Sequence, residues 1–278
     1  MDLIKDLVEL YRKTATEIHE DILNILKQAE EIEEVSAKNN IKDLIKNAEL
    51  AKQLSKPICQ DTGTPIFYIQ HDKTYSQKEL KKQIIEATKL ATEKIPLRPN
   101  AVDIKTDKNT GNNTGNFFPI IYFEEINKGL IIDLMLKGGG SENVGITYSL
   151  PNKDLDAGRN LEGVRKCVLD AVFKAQGKAC PPYVIGAAIG GSKDVVACLS
   201  KKQLLRKLND VNEDSELDRF EKELKEDLNK LGIGPLGLGG KTTCLAVKIA
   251  ESSRHPASYF ADISFCCWAC RRGQLKYD

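Results

Sequence analysis

The sequence predicts an α/β (α+β) fold in which a helical N-terminal segment packs on a mixed sheet domain. Apolar residues at helical spacing, beginning with Ile4, Leu7 and Tyr11, continue through the first 54 residues. Short apolar stretches at 65–69, 130–136 and 183–189 predict strands, with helical stripes between them. We therefore expect a helical segment over residues 1–55 and a mixed α/β domain over residues 56–278, forming one continuous domain.

The predicted elements follow in order along the chain. Ser76 and Glu79 form a capping box that predicts the start of a helix after the first strand. A helical stripe over 161–175 places Cys167 in the core, and a charged helix is predicted over 204–231. The remaining predicted strands cover 118–123, 245–249 and 255–265.

Composition restricts the function. Lys and Arg total 41 against 40 Asp and Glu, which leaves a net charge of +1 and no basic surface of the kind nucleic-acid-binding proteins use. The N-terminus lacks the layout of a signal peptide, and no stretch is long and apolar enough to span a membrane, so a cytoplasmic protein is expected. In a reducing compartment, the eight cysteines favour metal binding over disulfides.

Three cysteines lie in unusual surroundings. Cys59 is followed by Gln60 and Asp61 and stands between a proline and a glycine, a polar combination that adds little to stability. Cys180 precedes two prolines, and Cys267 lies in the cysteine-rich run FCCWACRR at 265–272. Soft thiolates from widely separated loops suit an iron-sulfur cluster, and three such ligands leave one iron open to act as a Lewis acid in a dehydration.

Other metal and nucleotide sites are less consistent with the sequence. Cys267 and Cys270 form a C-x-x-C that could indicate zinc or a redox pair, but no second C-x-x-C accompanies it. The G-x-G-x-x-G beginning at Gly232 follows a helix instead of a strand, which argues against a dinucleotide site. A phosphate-binding loop ending in GKT would need a glycine where Pro235 stands.

Several polar groups are suited to holding the carboxylates of a small substrate. Arg98 lies between two prolines, which reduces the cost of ordering its guanidinium. Gln60, His255 and the backbone amides of the glycine run 138–140 are further candidates, and Asp61 is expected to orient Arg98.

The chain resembles the alpha subunit, or N-terminal region, of the class I iron-sulfur fumarate hydratases and the related L(+)-tartrate dehydratases over nearly its whole length. The motifs that carry the resemblance are CQDTG at 59–63, LRPN at 97–100, KGGGSEN at 137–143, CPP at 180–182, the glycine-rich loop 234–243, and His255 with CWA at 267–269.

The resemblance implies a 4Fe-4S cluster bound by Cys59, Cys180 and Cys267. It also implies a dicarboxylate site formed by Gln60, Asp61, Arg98, Gly140 and His255. The implied reaction is the reversible hydration of fumarate to (S)-malate. The catalytic base would come from a separate beta subunit, so we expect this chain to be inactive alone and to assemble, through homodimerisation, into a larger hetero-oligomer.

Three alternatives remain open from the sequence. L(+)-tartrate is the nearest rival substrate. Both candidates are small dicarboxylates distinguished by their hydroxyl groups, and no motif in the sequence recognises those groups unambiguously. An iron-sulfur electron carrier or sensor is a second alternative, although carriers usually use four ligands. A structural zinc protein is the third. Cys266 and Cys270 lie so close to Cys267 that they make this ligand less secure than Cys59 or Cys180.

Overall fold

The structure is a computed structural model that describes residues 2–278. The helices are α1 (Leu3–Thr16), α2 (Glu20–Ile32), α3 (Val35–Leu54), α4 (Gln77–Lys94), α5 (Gly139–Asn143), α6 (Leu161–Ala175), α7 (Lys193–Gln203) and α8 (Ser215–Lys230). The strands are β1 (Thr64–His71), β2 (Ile120–Glu125), β3 (Leu130–Lys137), β4 (Ile146–Ser149), β5 (Tyr183–Gly190), β6 (Cys244–Ser252), β7 (Phe260–Cys266) and β8 (Arg272–Tyr277). Among these residues, no helix is long and apolar enough to cross a membrane.

The chain divides into two compact units, and each contains segments that are distant in sequence. The first unit comprises the segment up to His19 together with Lys46–Gly139 and Arg271–Asp278. The second unit comprises Glu20–Ile45 and Gly140–Cys270. The backbone passes from the first unit to the second between His19 and Glu20 and returns between Ile45 and Lys46. It passes to the second unit again between Gly139 and Gly140, and returns between Cys270 and Arg271.

The first unit is built on a mixed four-stranded sheet with the strand order β2-β1-β3-β8. Strand β1 is parallel to β2 and antiparallel to β3, which in turn is antiparallel to β8. Helices α1 and α4 pack together over this sheet. The buried hydroxyl of Tyr11 on α1 forms a hydrogen bond of 2.8 Å with Thr88 of α4, and its ring lies edge-on to Phe67 of β1.

The second unit has its own mixed four-stranded sheet, with the strand order β4-β7-β5-β6. The central strand β5 is parallel to β6 and antiparallel to β7. All eight residues of β5 are buried, as the continuous apolar run predicts for a central strand covered on both faces. Helix α7 packs on β5, β6 and β7, while α8 packs on β6 and α6.

The structure confirms the predicted fold class, and the capping box is present, since the Glu79 amide donates to Ser76 Oγ at 3.4 Å. The prediction of one charged helix over 204–231 was wrong in its start. Helix α8 begins at Ser215, because the Asp214 carboxylate accepts hydrogen bonds from the amides of Glu216 and Leu217 at 2.8 and 3.0 Å and so caps the helix there.

Candidate active site

The loop that carries Cys59 is fixed at its start and exposed at the cysteine. In the first unit, the Ile58 amide donates to the carbonyl of Ala15 at 3.0 Å, and Asn47 Nδ2 donates to the Ile58 carbonyl at 2.9 Å. Ile58 is buried, whereas Cys59 and Gln60 are exposed. The chain therefore presents the thiol and the amide side chain from a firmly anchored backbone.

Asp61 organises the next turn of this loop through its carboxylate. One carboxylate oxygen accepts from the Gly139 amide at 2.8 Å and the other from the Gly63 amide at 3.1 Å, while the Asp61 carbonyl accepts from the buried guanidinium of Arg271. A side chain at Gly138 would place its Cβ 3.0 Å from the Asp61 carboxylate. In the described residues, Asp61 thus binds backbone amides and not Arg98, contrary to the expected orienting role.

Arg98 has a fixed backbone and an exposed side chain. Its amide donates to Thr62 Oγ1 at 3.0 Å, and its carbonyl accepts from Asn113 Nδ2 at 2.9 Å. Both partners are buried, so the position of the Arg98 backbone is set by the interior of the first unit. Its exposed guanidinium is suited to bidentate pairing with a carboxylate.

In the second unit, the loops of Cys180 and Cys267 lie together. The Trp268 amide donates to the Cys180 carbonyl at 3.1 Å. Burial raises the pKa of Tyr183 to about 12, and the electrostatic influence of nearby Cys180 and Cys267 acts in the same direction. Cys180 is exposed, Cys267 is half-buried, and Cys180 has a φ of 53°, a left-handed conformation that is uncommon for residues other than glycine.

Gly140 lies beside the Cys180 loop. A Cβ at Gly140 would meet the carbonyl oxygen of Lys178 at 3.4 Å. A cavity of about 410 Å³ opens here and is lined by Gly140, Asn143 and Lys178, among others. The cavity therefore lies between Gly140 and the loop of a predicted metal ligand, and the exposed side chain of Lys178 forms part of its wall.

His255 is exposed in a turn that fixes the tautomer of its ring. The Ala257 amide donates to His255 Nδ1 at 3.1 Å, and the Ser258 amide donates to the His255 carbonyl at 3.0 Å. Since Nδ1 is the acceptor, a neutral imidazole must carry its proton on Nε2. The ring thus offers an N–H donor to a carboxylate or hydroxyl oxygen.

The donor set of the three predicted ligands fits a soft metal centre. Cys59, Cys180 and Cys267 are the cysteines with exposed or half-buried thiols in the predicted motifs. Burial instead raises the pKa of Cys167 to about 11 and that of Cys244 to about 12, which keeps these two thiols protonated. Within residues 2–278, no group of three or more His, Cys, Asp or Glu side chains is arranged to hold a metal ion.

Comparison with known proteins identifies the family. The sequence profile described as fumarate hydratase (Fumerase) matches residues 4–276. The chain belongs to the fumarate hydratase family. It is 40% identical over 283 residues to a protein of Geobacillus stearothermophilus provisionally named a class I fumarate hydratase, covering 99% of this chain and 55% of that protein. The chain thus spans about half the length of that relative.

Other relatives in the family match along nearly their whole length. A Methanocaldococcus jannaschii protein provisionally named L(+)-tartrate dehydratase subunit alpha is 40% identical over 282 residues, covering 98% of this chain and 97% of that protein. The L(+)-tartrate dehydratase subunit alpha of Escherichia coli strain K12 is 34% identical over 265 residues, covering 94% of this chain and 86% of that protein. Relatives named fumarate hydratase and relatives named L(+)-tartrate dehydratase therefore both match this fumarate hydratase family member.

Two residues that contact the loops of the predicted motifs, Arg271 and Tyr183, were not identified from the sequence. Arg271 is 3% exposed and holds the Asp61 loop, although 210 residues separate the two in sequence. Tyr183 is fully buried against the two cysteine loops of the second unit, and its hydroxyl donates to the Gln176 carbonyl. The only sequence signal for Arg271 was its place within the cysteine-rich run at 265–272.

Proposed function

We propose that this chain is the alpha component of a two-subunit hydro-lyase that catalyses the reversible hydration of fumarate to (S)-malate. Cys59, Cys180 and Cys267 are the proposed ligands of a 4Fe-4S cluster. The proposal rests on membership of the fumarate hydratase family together with the chemistry of the residues at the predicted positions.

One structural observation supports Cys180 and Cys267 as proposed ligands of the same centre. The hydrogen bond of 3.1 Å from the Trp268 amide to the Cys180 carbonyl holds together two cysteine loops that are distant in sequence. Both thiols lie near enough to the Tyr183 hydroxyl to affect its pKa. A pair of accessible thiols held in this way is suited to binding a soft metal centre.

The residues around the cluster have separate tasks. When bound, the cluster supplies a Lewis-acid iron that polarises a carbon–oxygen bond of the substrate. Arg98 pairs with one substrate carboxylate, and the Nε2–H of His255 donates to an oxygen of the substrate. Gln60 offers an amide donor and acceptor from the anchored Cys59 loop. Asp61 fixes the glycine turn of the proposed site, and Gly140 leaves room beside the cavity.

The proposed catalytic base and further carboxylate-binding groups lie outside this chain, on a beta subunit. Two relatives of nearly the same length carry the name of an alpha subunit, and a longer relative extends well beyond the matched region. We therefore expect turnover only when this chain is combined with its beta subunit, in a larger hetero-oligomer.

Metal content and spectroscopy test the proposed ligands. After anaerobic reconstitution with iron and sulfide, we expect a 4Fe-4S cluster in the unmodified chain and its loss in Cys59→Ser, Cys180→Ser and Cys267→Ser. Cys198→Ser, a half-buried thiol outside the motifs, is the matched control and should keep the cluster. Zinc without iron or sulfide would refute the cluster, and a fourth thiolate ligand would favour an electron carrier.

L(+)-tartrate is the second candidate substrate, because the Methanocaldococcus jannaschii relative, matched over 97% of its length, is provisionally named for it. Turnover of fumarate, malate and L(+)-tartrate by the complete two-subunit enzyme distinguishes the candidates. Activity on tartrate alone would overturn the fumarate assignment while leaving the cluster ligands unaffected.

A further inference from the structure

Cys267 and Cys270 are joined by a tight backbone turn. The Cys270 amide donates to the Cys267 carbonyl at 3.0 Å, which closes a four-residue turn. In such a turn the first and last Cα atoms lie within about 7 Å of one another. The Cα atoms of disulfide-bonded cysteines are usually about 4.4–6.8 Å apart, so the backbone of this turn already has the spacing that a disulfide requires.

The two thiols of the turn differ in their surroundings. Cys267 is half-buried and therefore within reach of small molecules, whereas Cys270 is buried, and its Sγ donates to the Leu204 carbonyl at 3.7 Å. Cys270 also has a φ of 30°, a left-handed conformation unfavourable for a residue with a side chain. Trp268 and Ala269 between them are buried, so the turn is held in this shape by the interior of the second unit.

We propose that Cys267 and Cys270 form a reversible disulfide when the cluster is absent, which protects a cluster ligand from irreversible oxidation. This inference rests on the proposed function, because it assigns Cys267 as a ligand. In the cluster-bound protein the Cys267 sulfur is occupied by iron and does not react.

The chemistry requires a peroxide as the oxidant. One oxygen of hydrogen peroxide is transferred to the Cys267 sulfur, giving a sulfenic acid and one water. The Cys270 sulfur then attacks the Cys267 sulfur, the S–O bond breaks, and a second water leaves with the Cys270 proton. Two thiols and one peroxide thus give one disulfide and two waters. A dithiol reductant restores both thiols, whereas a sulfinic acid at Cys267 would not be restored by it.

Three other cysteines of the second unit, Cys266, Cys167 and Cys244, are poor partners for Cys267. Cys266 belongs to strand β7, where it is paired with Val184 and buried on the strand. The raised pKa values of Cys167 and Cys244, about 11 and about 12, keep these thiols protonated and unreactive. Cys167 and Cys244 should therefore stay reduced during peroxide treatment, which makes them internal controls for selective oxidation of Cys267.

Peptide mapping of the metal-free full chain tests the disulfide. The reduced protein is treated with one equivalent of hydrogen peroxide, alkylated and digested with trypsin, which releases the peptide from His255 to Arg271. We expect this peptide to carry one alkyl group, on Cys266, and to be two hydrogens lighter than the same peptide with Cys267 and Cys270 reduced. Cys266→Ser should retain the disulfide. In Cys270→Ser it should be lost, leaving a sulfenic acid on Cys267 that a second equivalent of hydrogen peroxide converts to sulfinic acid.

Cluster uptake then separates this inference from the proposed function. The oxidised chain should fail to take up iron and sulfide until dithiothreitol is added. Uptake of a full cluster by the oxidised chain would show that Cys267 is not a ligand, although the disulfide itself would stand. A disulfide in Cys270→Ser equal to that of the unmodified chain, or a bond joining Cys267 to Cys266, Cys180 or Cys59, would overturn the inference.

Discussion

Glu221 is the buried centre of a charged network in the second unit, and its replacement provides a quantitative test of the structure. The side chain of Glu221 is 5% exposed. One of its oxygens accepts from Arg206, from Asn212 Nδ2 and from the Ile249 amide, at 2.8, 2.8 and 2.7 Å. The other lies 3.8 Å from the ammonium of Lys248, which is itself only 4% exposed.

The change Glu221→Gln keeps the shape of the side chain and removes its charge. Removing one partner of a buried ion pair typically costs about 3–5 kcal/mol, because the opposite charge is left uncompensated. Gln retains an oxygen acceptor for the Ile249 amide, and Lys248 retains Asp210 at 2.6 Å, so we expect the low end, about 3 kcal/mol. With a urea m value of about 1–3 kcal/mol per molar, the unfolding midpoint should fall by about 1 M or more.

Tryptophan fluorescence measures this effect in the correct unit. Trp268 is the single tryptophan of the sequence, is 7% exposed, and lies in the same unit as Glu221. The matched control on the same helix is Lys222→Gln, which breaks an ion pair with Asp218 whose lysine is 68% exposed and should cost less than about 1 kcal/mol. A midpoint for Glu221→Gln no lower than that of Lys222→Gln would refute the reasoning.

Three further predictions concern the site and its acid sensitivity. Asp61→Asn removes the charge that strengthens two backbone hydrogen bonds, so iron and sulfide content after reconstitution should fall while the Trp268 unfolding midpoint is unchanged. Arg98→Lys, assayed in the complete two-subunit enzyme, should raise KM by about tenfold or more, because about 1.4 kcal/mol of bidentate pairing is lost, and should leave kcat nearly constant; an unchanged KM would contradict this role. Burial opposes ionisation of Asp210, but hydrogen bonds from Arg206 and Lys248 hold its pKa below the ordinary 3.8. Its stabilising contribution is thus present above that value and is lost as the pH falls through the lowered pKa, so the urea midpoint should fall below about pH 4; a fall between pH 7 and 5 would contradict this assignment.

The sequence predicts those parts of the fold that depend on neighbouring residues. The capping box at Ser76 and Glu79 and the buried strand β5 are both encoded within a few positions, and both are present. The start of α8 was misplaced, since the charged pattern continues through residues 204–214 although Asp214 caps the helix after them. Arg206 and Asp210 lie in that connection and belong to the network around Glu221 and Lys248, which no local pattern reveals.

The site was predictable as a set of residue types but not as a set of contacts. Cys59, Cys180 and Cys267 were selected because their surroundings contribute little to a core, a criterion that needs no knowledge of the fold. The hydrogen bond from Arg271 to Asp61, by contrast, joins residues 210 positions apart. Asp61 was expected to face Arg98, and the error arose because the sequence could not show that backbone amides would occupy its carboxylate first.

The two glycine-rich loops illustrate the same physical rule. Gly139 donates its amide to Asp61, and the amides of Lys241 and Thr242 donate to the buried carboxylate of Glu33 at 2.9 and 2.5 Å. Glycine allows close approach of an anion to the backbone, and in each loop the chain supplies that anion itself. These amides therefore hold the loops in shape and are already occupied by protein carboxylates. Arg98 and His255, by contrast, have exposed side chains, so their donors are available for the dicarboxylate of the proposed function.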